Sequence, residues 1–305
     1  MRIGFSVPQF GAFADPDLVL GLSRALEDMG YDSLWVGDRI LGPITPSDPY
    51  PGGDGTMPQQ YATHLDPLLA LTLAATVTER VRLGSSTLNA LWQPPVLLAR
   101  TLTTLDLVSH GRLDVGIGLG WMRDEYTAVG VEWAGRGNRL EETLDLLEAV
   151  WTSQTVEHQG ELWSVPASRI FPKPVQRPHP PILLGGFSPA GLERVGRRGN
   201  GWLAAAMPLP YLTGLWSQAL RAAEQAGREP SQLRLVVRAN PTITSSPADP
   251  AETFARGTVG QICDYLRSAV EAGADEVFVD PQLTTSSPDE FLDLAQEFIT
   301  NLRTG

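Results

Sequence analysis

Cys263 is the only cysteine in the 305 residues, so no internal disulfide can form. It falls inside a helical pattern and reads as a small buried hydrophobe rather than a reactive thiol. The lack of paired cysteines fits a reducing cytoplasm. Histidine is scarce too: His64, His110, His158 and His179 are scattered without ligand spacing, so no metal site is expected. No G-x-S-x-G elbow occurs, which argues against a Ser-His-Asp hydrolase. The longest apolar run, Leu68 to Val77, is broken by threonines. It falls far short of the roughly 20 residues a membrane span needs. No basic start and apolar run precede Ile3, so no secretory signal is expected. Positive charge is outnumbered, leaving a formal net charge of -12. Such a chain repels phosphate backbones and anionic membranes, so neither is an expected partner. A local basic patch still leaves a phosphorylated small ligand open.

Apolar residues make up 42% of the chain and charged residues 19%, enough for a large core and too ordered a composition for global disorder. One unit recurs: a short apolar run, a turn, then an amphipathic helix. Eight copies are expected, with strands at Ile3–Val7, Ser33–Val36, Val81–Leu88, Leu113–Gly118, Ile182–Leu184, Trp202–Ala205, Leu233–Arg238 and Glu276–Val279. Helix starts are marked by Asp15-Pro16, Asp66-Pro67, Ser188-Pro189 and Ser287-Pro288, where an acceptor caps free N–H groups and proline loses no hydrogen bond. Thr258 with Gln261, and Ser287 with Glu290, have capping-box spacing. Gly30, Gly111, Gly227 and Gly273 mark helix stops.

Strands alternating with helices imply parallel pairing, and eight units of one domain over residues 1–305 fit closure into a (β/α)8 TIM barrel. An open doubly wound sheet is the alternative. Two insertions interrupt the repeat. Residues 39–65, with five prolines, leave the C-terminal rim after strand two and read as a lid. Residues 155–180, before strand five, begin with an expected hairpin around Gly160.

Barrel enzymes build their sites from residues just past the strand ends. Those segments here are Gly37-Asp38-Arg39, Ser85-Ser86-Thr87-Leu88-Asn89, Gly116 to Trp121, and Gly185-Gly186-Phe187-Ser188. The last opens a helix: two glycines admit a ligand close to the backbone, and the helix offers free N–H groups and a positive dipole end, a seat for phosphate. A tight turn capped by Ser188 would look the same. Gly116, Gly118 and Gly120 are spaced G-x-G-x-G with no helix following at once, which is not a dinucleotide fingerprint. They can make room for a flat ring walled by Trp121, or Trp121 can be core.

These segments together resemble the bacterial luciferase-like monooxygenase superfamily, and within it the actinobacterial enzymes that depend on the deazaflavin coenzyme F420. The resemblance runs over nearly the whole chain. It is carried by Ile3-Gly4-Phe5-Ser6-Val7-Pro8, Ser33 to Asp38, Val81 to Ser86, Gly111 through Trp121, Lys173-Pro174 to Gly185-Gly186, and Gly199-Asn200-Gly201-Trp202. It implies a cofactor ring at the C-terminal mouth, a non-prolyl cis peptide at Ser86–Thr87, a cofactor contact from Asp38, and a phosphate contact from Gly185, Gly186 and Ser188. It also implies a homodimer. Many relatives carry histidine after that aspartate, where this chain has Arg39. Arginine does not exchange a proton near neutral pH, so Arg39 is expected to hold an anionic ring or substrate by charge-assisted bonds. Glu125, Asp124, Tyr126, Tyr61 and His64 are the other candidates for proton transfer.

The expected site therefore has Arg39 and Glu125 as catalytic residues. Its cofactor set is Asp38, Ser85, Ser86, Thr87, Asn89, Gly118, Trp121, Gly185, Gly186, Phe187 and Ser188, around F420 or, alternatively, FMN. Trp92, Trp121 and Tyr61 suggest an apolar small-molecule substrate. The rivals are an FMN-dependent monooxygenase, a non-catalytic flavin-binding protein, and a barrel aldolase or isomerase. The last is disfavoured because the strand ends are poor in lysine.

Overall fold

The computed structural model describes residues 1–304. Eight parallel strands form its centre: β1 Arg2–Ser6, β2 Ser33–Val36, β3 Arg82–Ser85, β4 Leu113–Gly118, β5 Ile182–Leu184, β6 Gly201–Ala205, β7 Arg234–Ala239 and β8 Glu276–Val279. They pair in the order β3-β2-β1-β8-β7-β6-β5-β4, and β3 pairs with β4 to close the ring. Closure excludes the open doubly wound sheet.

The helices pack outside: α1 Pro16–Asp28, α2 Pro67–Val77, α3 Pro95–Val108, α4 Arg123–Ala128, α5 Arg136–Thr152, α6 Pro189–Arg198, α7 Leu209–Gln225, α8 Val259–Glu271 and α9 Pro288–Thr304. Their starts have the expected chemistry. Asp15 accepts from Asp17 N, Asp66 from Leu68 N and Leu69 N, and Ser188 from Gly191 N. Thr258 and Gln261 form a reciprocal capping box. The Ser287 pair departs from that pattern: Glu290 N donates to Ser287 Oγ, but the Glu290 carboxylate takes the N–H and hydroxyl of Ser286 instead. All four helix-stopping glycines have positive φ. Cys263 is fully buried in α8, and burial pushes its thiol up to about 12, so it stays protonated.

β3 is shorter than the expected Val81–Leu88 strand. Gly84 pairs with Asp114, while Leu88 pairs with Ile117, so four steps along one chain match three along the other. The extra residue bulges at Ser86–Thr87, whose peptide bond is cis as the resemblance implied. The expected hairpin is present as Val156–Gln159 paired antiparallel with Ser164–Ser168. A two-residue parallel pairing of Thr242–Ile243 with Arg256–Gly257 was not anticipated; segments that short carry no periodicity.

The barrel interior is layered. At the N-terminal end, Asp114 accepts from Arg82 and Arg234, and Glu276 accepts from Ser33, Trp35 and Arg234. Burial pushes the Asp114 carboxyl up, but the two guanidiniums beside it hold it below the usual range. Above this floor Trp35, Leu183, Leu203, Val236 and Phe278 form an apolar plug, with Trp35 stacked on Phe278 at 4.9 Å. Trp35 fits because β3 has glycine opposite it: a Cβ on Gly84 would lie 2.3 Å from the indole. The plug fills the barrel interior above the floor. Among the described residues no helix is long and apolar enough to cross a membrane.

Candidate active site

A cavity of about 580 Å³ sits on the plug at the C-terminal rim. Its walls include Asp38 and Arg39 after β2, Ser86, Thr87 and Asn89 after β3, and Trp121 and Glu125 after β4. Arg238 and Asn240 enter from β7, and lid residues Tyr50 to Gly53 lie across the cavity. The lid is held to α4: Ser47 bonds Asp124 through N–H and hydroxyl at 2.9 and 2.8 Å, and Asp48 accepts from Arg123 N at 2.8 Å.

Asp38 is partly buried and opens onto the cavity. Burial pushes its carboxyl up to about 7, against the bond that Asn89 N donates to Oδ2 at 3.0 Å; nearby Glu125 and Asp66 add to the rise. Arg39 Nη1 donates to Glu125 Oε2 at 2.9 Å, and both side chains are largely buried. The Arg39 guanidinium lies 4.6 Å from the Trp121 ring centre and 5.2 Å from that of Tyr61, within cation–π reach of both. Burial raises the Glu125 carboxyl, while Arg39 and the Ile40 N–H oppose the rise. Burial likewise drives the Tyr61 phenol well above its ordinary range, which leaves it a fixed hydroxyl near Tyr50.

Arg238 was missed by sequence reasoning. It is the penultimate residue of β7, donates through Nη2 to Asp280 Oδ2 at 2.6 Å, and donates through Nη1 to the Ser86 carbonyl. A charged residue closing an apolar strand at the C-terminal rim was the available signal, for Arg238 and Asp280 alike.

Three of the buried side-chain nitrogens without a hydrogen-bond partner among the described residues belong to this cavity: Asn89 Nδ2, Trp92 Nε1 and Arg238 Nε. All three are donors. Orphaned buried donors are rare in folded proteins because each forfeits its hydration. Open donors on three residues that line one cavity fit a planar ligand edged with acceptors, such as the carbonyl oxygens and ring nitrogens of a flavin or deazaflavin.

The Gly185–Ser188 turn adjoins the cavity through Thr87, whose methyl would be 3.2 Å from a Cβ at Gly185. Ser188 caps α6, and Gly186 has φ 138°. The N–H groups of Gly186, Phe187 and Ser188 donate to nothing among the described residues. Phe187 is half exposed and packs edge-on against Trp202. These free donors meet the requirement for a phosphate seat.

Other expected residues sit elsewhere. Ser85 faces β4, where its hydroxyl bonds both the N–H and the carbonyl of Gly116. The space opened by the glycines is not left for a ring: a Cβ on Gly116 would lie 1.8 Å from the Ser85 carbonyl oxygen, and one on Gly118 2.3 Å from the Thr87 hydroxyl. Both glycines instead admit the bulge of β3, a cross-strand need that spacing along one strand does not reveal. Trp121 does form a wall of the cavity. Among the other proton-transfer candidates, Asp124 holds the lid, Tyr126 donates to the Leu119 carbonyl at 2.6 Å, and His64 contacts the Tyr61 carbonyl. Lys173, the one lysine in the sequence, bonds the Val150 carbonyl and does not line the cavity, so no Schiff-base residue is present there.

Comparison with known proteins assigns the family and agrees with the fold. The profile of the luciferase-like monooxygenase family matches residues 2–292, and the chain belongs to that family of oxidoreductases. It is 33% identical over 211 residues to an uncharacterized protein of Mycobacterium tuberculosis, covering 65% of this chain and 73% of that one. It is 30% identical over 209 residues to an F420-dependent glucose-6-phosphate dehydrogenase of Amycolatopsis mediterranei, covering 67% of this chain and 57% of the relative. The crystal structure of monooxygenase RslO1 from Streptomyces bottropensis superimposes with a TM-score of 0.81 over 99% of both chains, at 20% identity.

Proposed function

We propose that this protein is an F420-dependent oxidoreductase acting on a small, largely apolar organic molecule. The observation that carries the reading is the set of three orphaned donors, Asn89 Nδ2, Trp92 Nε1 and Arg238 Nε, on residues that line one rim cavity. The name of the Amycolatopsis relative supports F420 as the cofactor. When bound, the deazaflavin supplies or accepts a hydride.

The protein's own groups do the rest. Asn89, Trp92 and Arg238 would orient the ring, and the free N–H groups of Gly186 to Ser188 would hold the phosphate. Arg39 is locked between Trp121 and Tyr61 and neutralised by Glu125, so it can donate a hydrogen bond to a substrate oxygen but cannot give up its proton. Asp38 can: its Oδ1 carries or releases a proton near neutrality, which assigns it the proton work that histidine would do in the relatives. The lid and the aromatic rings of Phe10, Tyr50, Tyr61 and Trp121 exclude water.

An FMN-dependent monooxygenase is the second reading, favoured by the family to which the chain belongs. Incubating the purified protein with each cofactor separates the two. Tight F420 binding without oxygen uptake is the expected result; oxygen uptake with reduced FMN and no affinity for F420 would overturn it. We also propose a homodimer. Supporting this, α2 is almost wholly apolar and leaves Leu69 66% exposed, and the neighbouring α3 leaves Leu97 43% exposed. Sedimentation of wild type and Leu69→Glu tests the pairing.

A further inference from the structure

A second recess, of about 260 Å³, lies outside the rim cavity and shares no residue with it. Its apolar wall comes from Leu91, Val131 and Trp163. Its polar residues are Arg139 and Thr143, one turn apart on α5, and the exposed Glu132. The Trp163 wall is fixed to the same helix, because Glu142 accepts from Trp163 N at 2.8 Å and contacts His158 Nε2 at 3.2 Å.

Two observations point independently to a missing ligand. Thr143 is 1% exposed, and its hydroxyl has no partner among the described residues; nor has the buried Nε of Arg139. The Arg139 side chain makes no hydrogen bond or ion pair at all among the described residues. Its neighbour Arg136 is differently placed, stacked 3.7 Å over the Trp133 ring. Separately, the charge stands at the wrong end of its helix. α5 has no side-chain cap and no acid in its first turn, yet begins with Arg136 and Arg139. A helix N-terminus carries partial positive charge, so cations there are unfavourable unless an anion joins them.

We propose that this recess binds a small carboxylate monoanion with an apolar body of about one ring. The Arg139 guanidinium and the Thr143 hydroxyl take the carboxylate, and Leu91, Val131 and Trp163 cover the body. Pockets for drug-sized ligands span roughly 300–1,000 Å³, so this recess suits something smaller. Glu132 disfavours a second negative charge, and therefore a phosphate. The proposal does not depend on the cofactor reading, since none of these residues lines the rim cavity.

Titration calorimetry on the full chain tests it, with phenylacetate, neutral phenylacetamide and inorganic phosphate as probes. Phenylacetate should bind, and the other two at least about tenfold more weakly. Arg139→Gln should weaken phenylacetate binding by about tenfold or more, since a charge-assisted bond is lost. Thr143→Val should weaken it by roughly three- to tenfold while leaving the ligand-free melting temperature unchanged or higher, because a hydroxyl without a partner has no bond to lose. Phenylacetate binding that is absent in wild type, or equal in wild type and Arg139→Gln, overturns the proposal. So does a Thr143→Val protein that melts several degrees lower without ligand, which would show the hydroxyl already bonded within the fold.

Discussion

The two ends of the barrel interior use the same side-chain types to opposite effect. At the floor, Asp114 and Glu276 are saturated by Arg82, Arg234, Ser33 and Trp35, and one donor, Arg234 Nε, lacks a partner. At the rim, Arg238 and Asp280 pair just as closely, but Asn89, Trp92 and Arg238 each leave a buried nitrogen unanswered. A polar network closed on itself fixes a core; one left open is shaped for something else. The apolar plug around Trp35 and Phe278 keeps the two apart.

Substitutions should separate the two ends, beginning with the floor. Asp114→Ala leaves the Arg82 guanidinium without a carboxylate and Arg234 with Glu276 alone, and should cost about 3–5 kcal/mol of folding stability, as with other broken buried pairs; denaturant unfolding measures it. If the loss is under 1 kcal/mol, the floor is not a closed network. At the rim, Trp92→Phe keeps an aromatic ring and removes a donor with no partner among the described residues. Folding stability should stay within about 1 kcal/mol, while cofactor affinity falls roughly 10- to 100-fold. Equal losses in both would make the rim merely structural.

Asp38 sharpens the contrast through pH. Its folded value of about 7 exceeds the ordinary 3.8, so the native protein keeps a proton that the unfolded chain releases. Its favourable contribution is complete below the unfolded value and is lost as pH rises through about 7. Asp38→Asn should therefore gain melting temperature relative to wild type between pH 5 and 8, and parallel profiles would refute the raised value. The smallest expected effect is at the turn beyond the cavity. Ser188→Ala removes the α6 cap and should cost about 1 kcal/mol, with weaker phosphate-dependent cofactor binding read by calorimetry.

The barrel was legible because its signals are local. Asp66-Pro67 or Ser188-Pro189 announces a helix, and Gly30 or Gly273 stops one, whatever packs nearby. Asp38, Arg39 and the Gly185–Ser188 turn stood out because they follow short apolar runs at the end where barrels place their sites. What stayed hidden depends on neighbours distant in sequence. Gly118 looked like room for a ring, but Thr87 from the next strand occupies that room. Arg238 looked like the last residue of a strand until Asp280 and Ser86 met it. Glu125 could be proposed but not ranked, because its pairing with Arg39 spans 86 positions.

The short helix α4 joins two tasks. Its first two residues moor the strap of chain crossing the mouth, and its third neutralises Arg39 beneath. A shift of that single segment changes the aperture and the charge inside together. Access and electrostatics in this protein are therefore mechanically one variable, and a substitution that loosens the doorway will also be felt as a change in ionisation behind it.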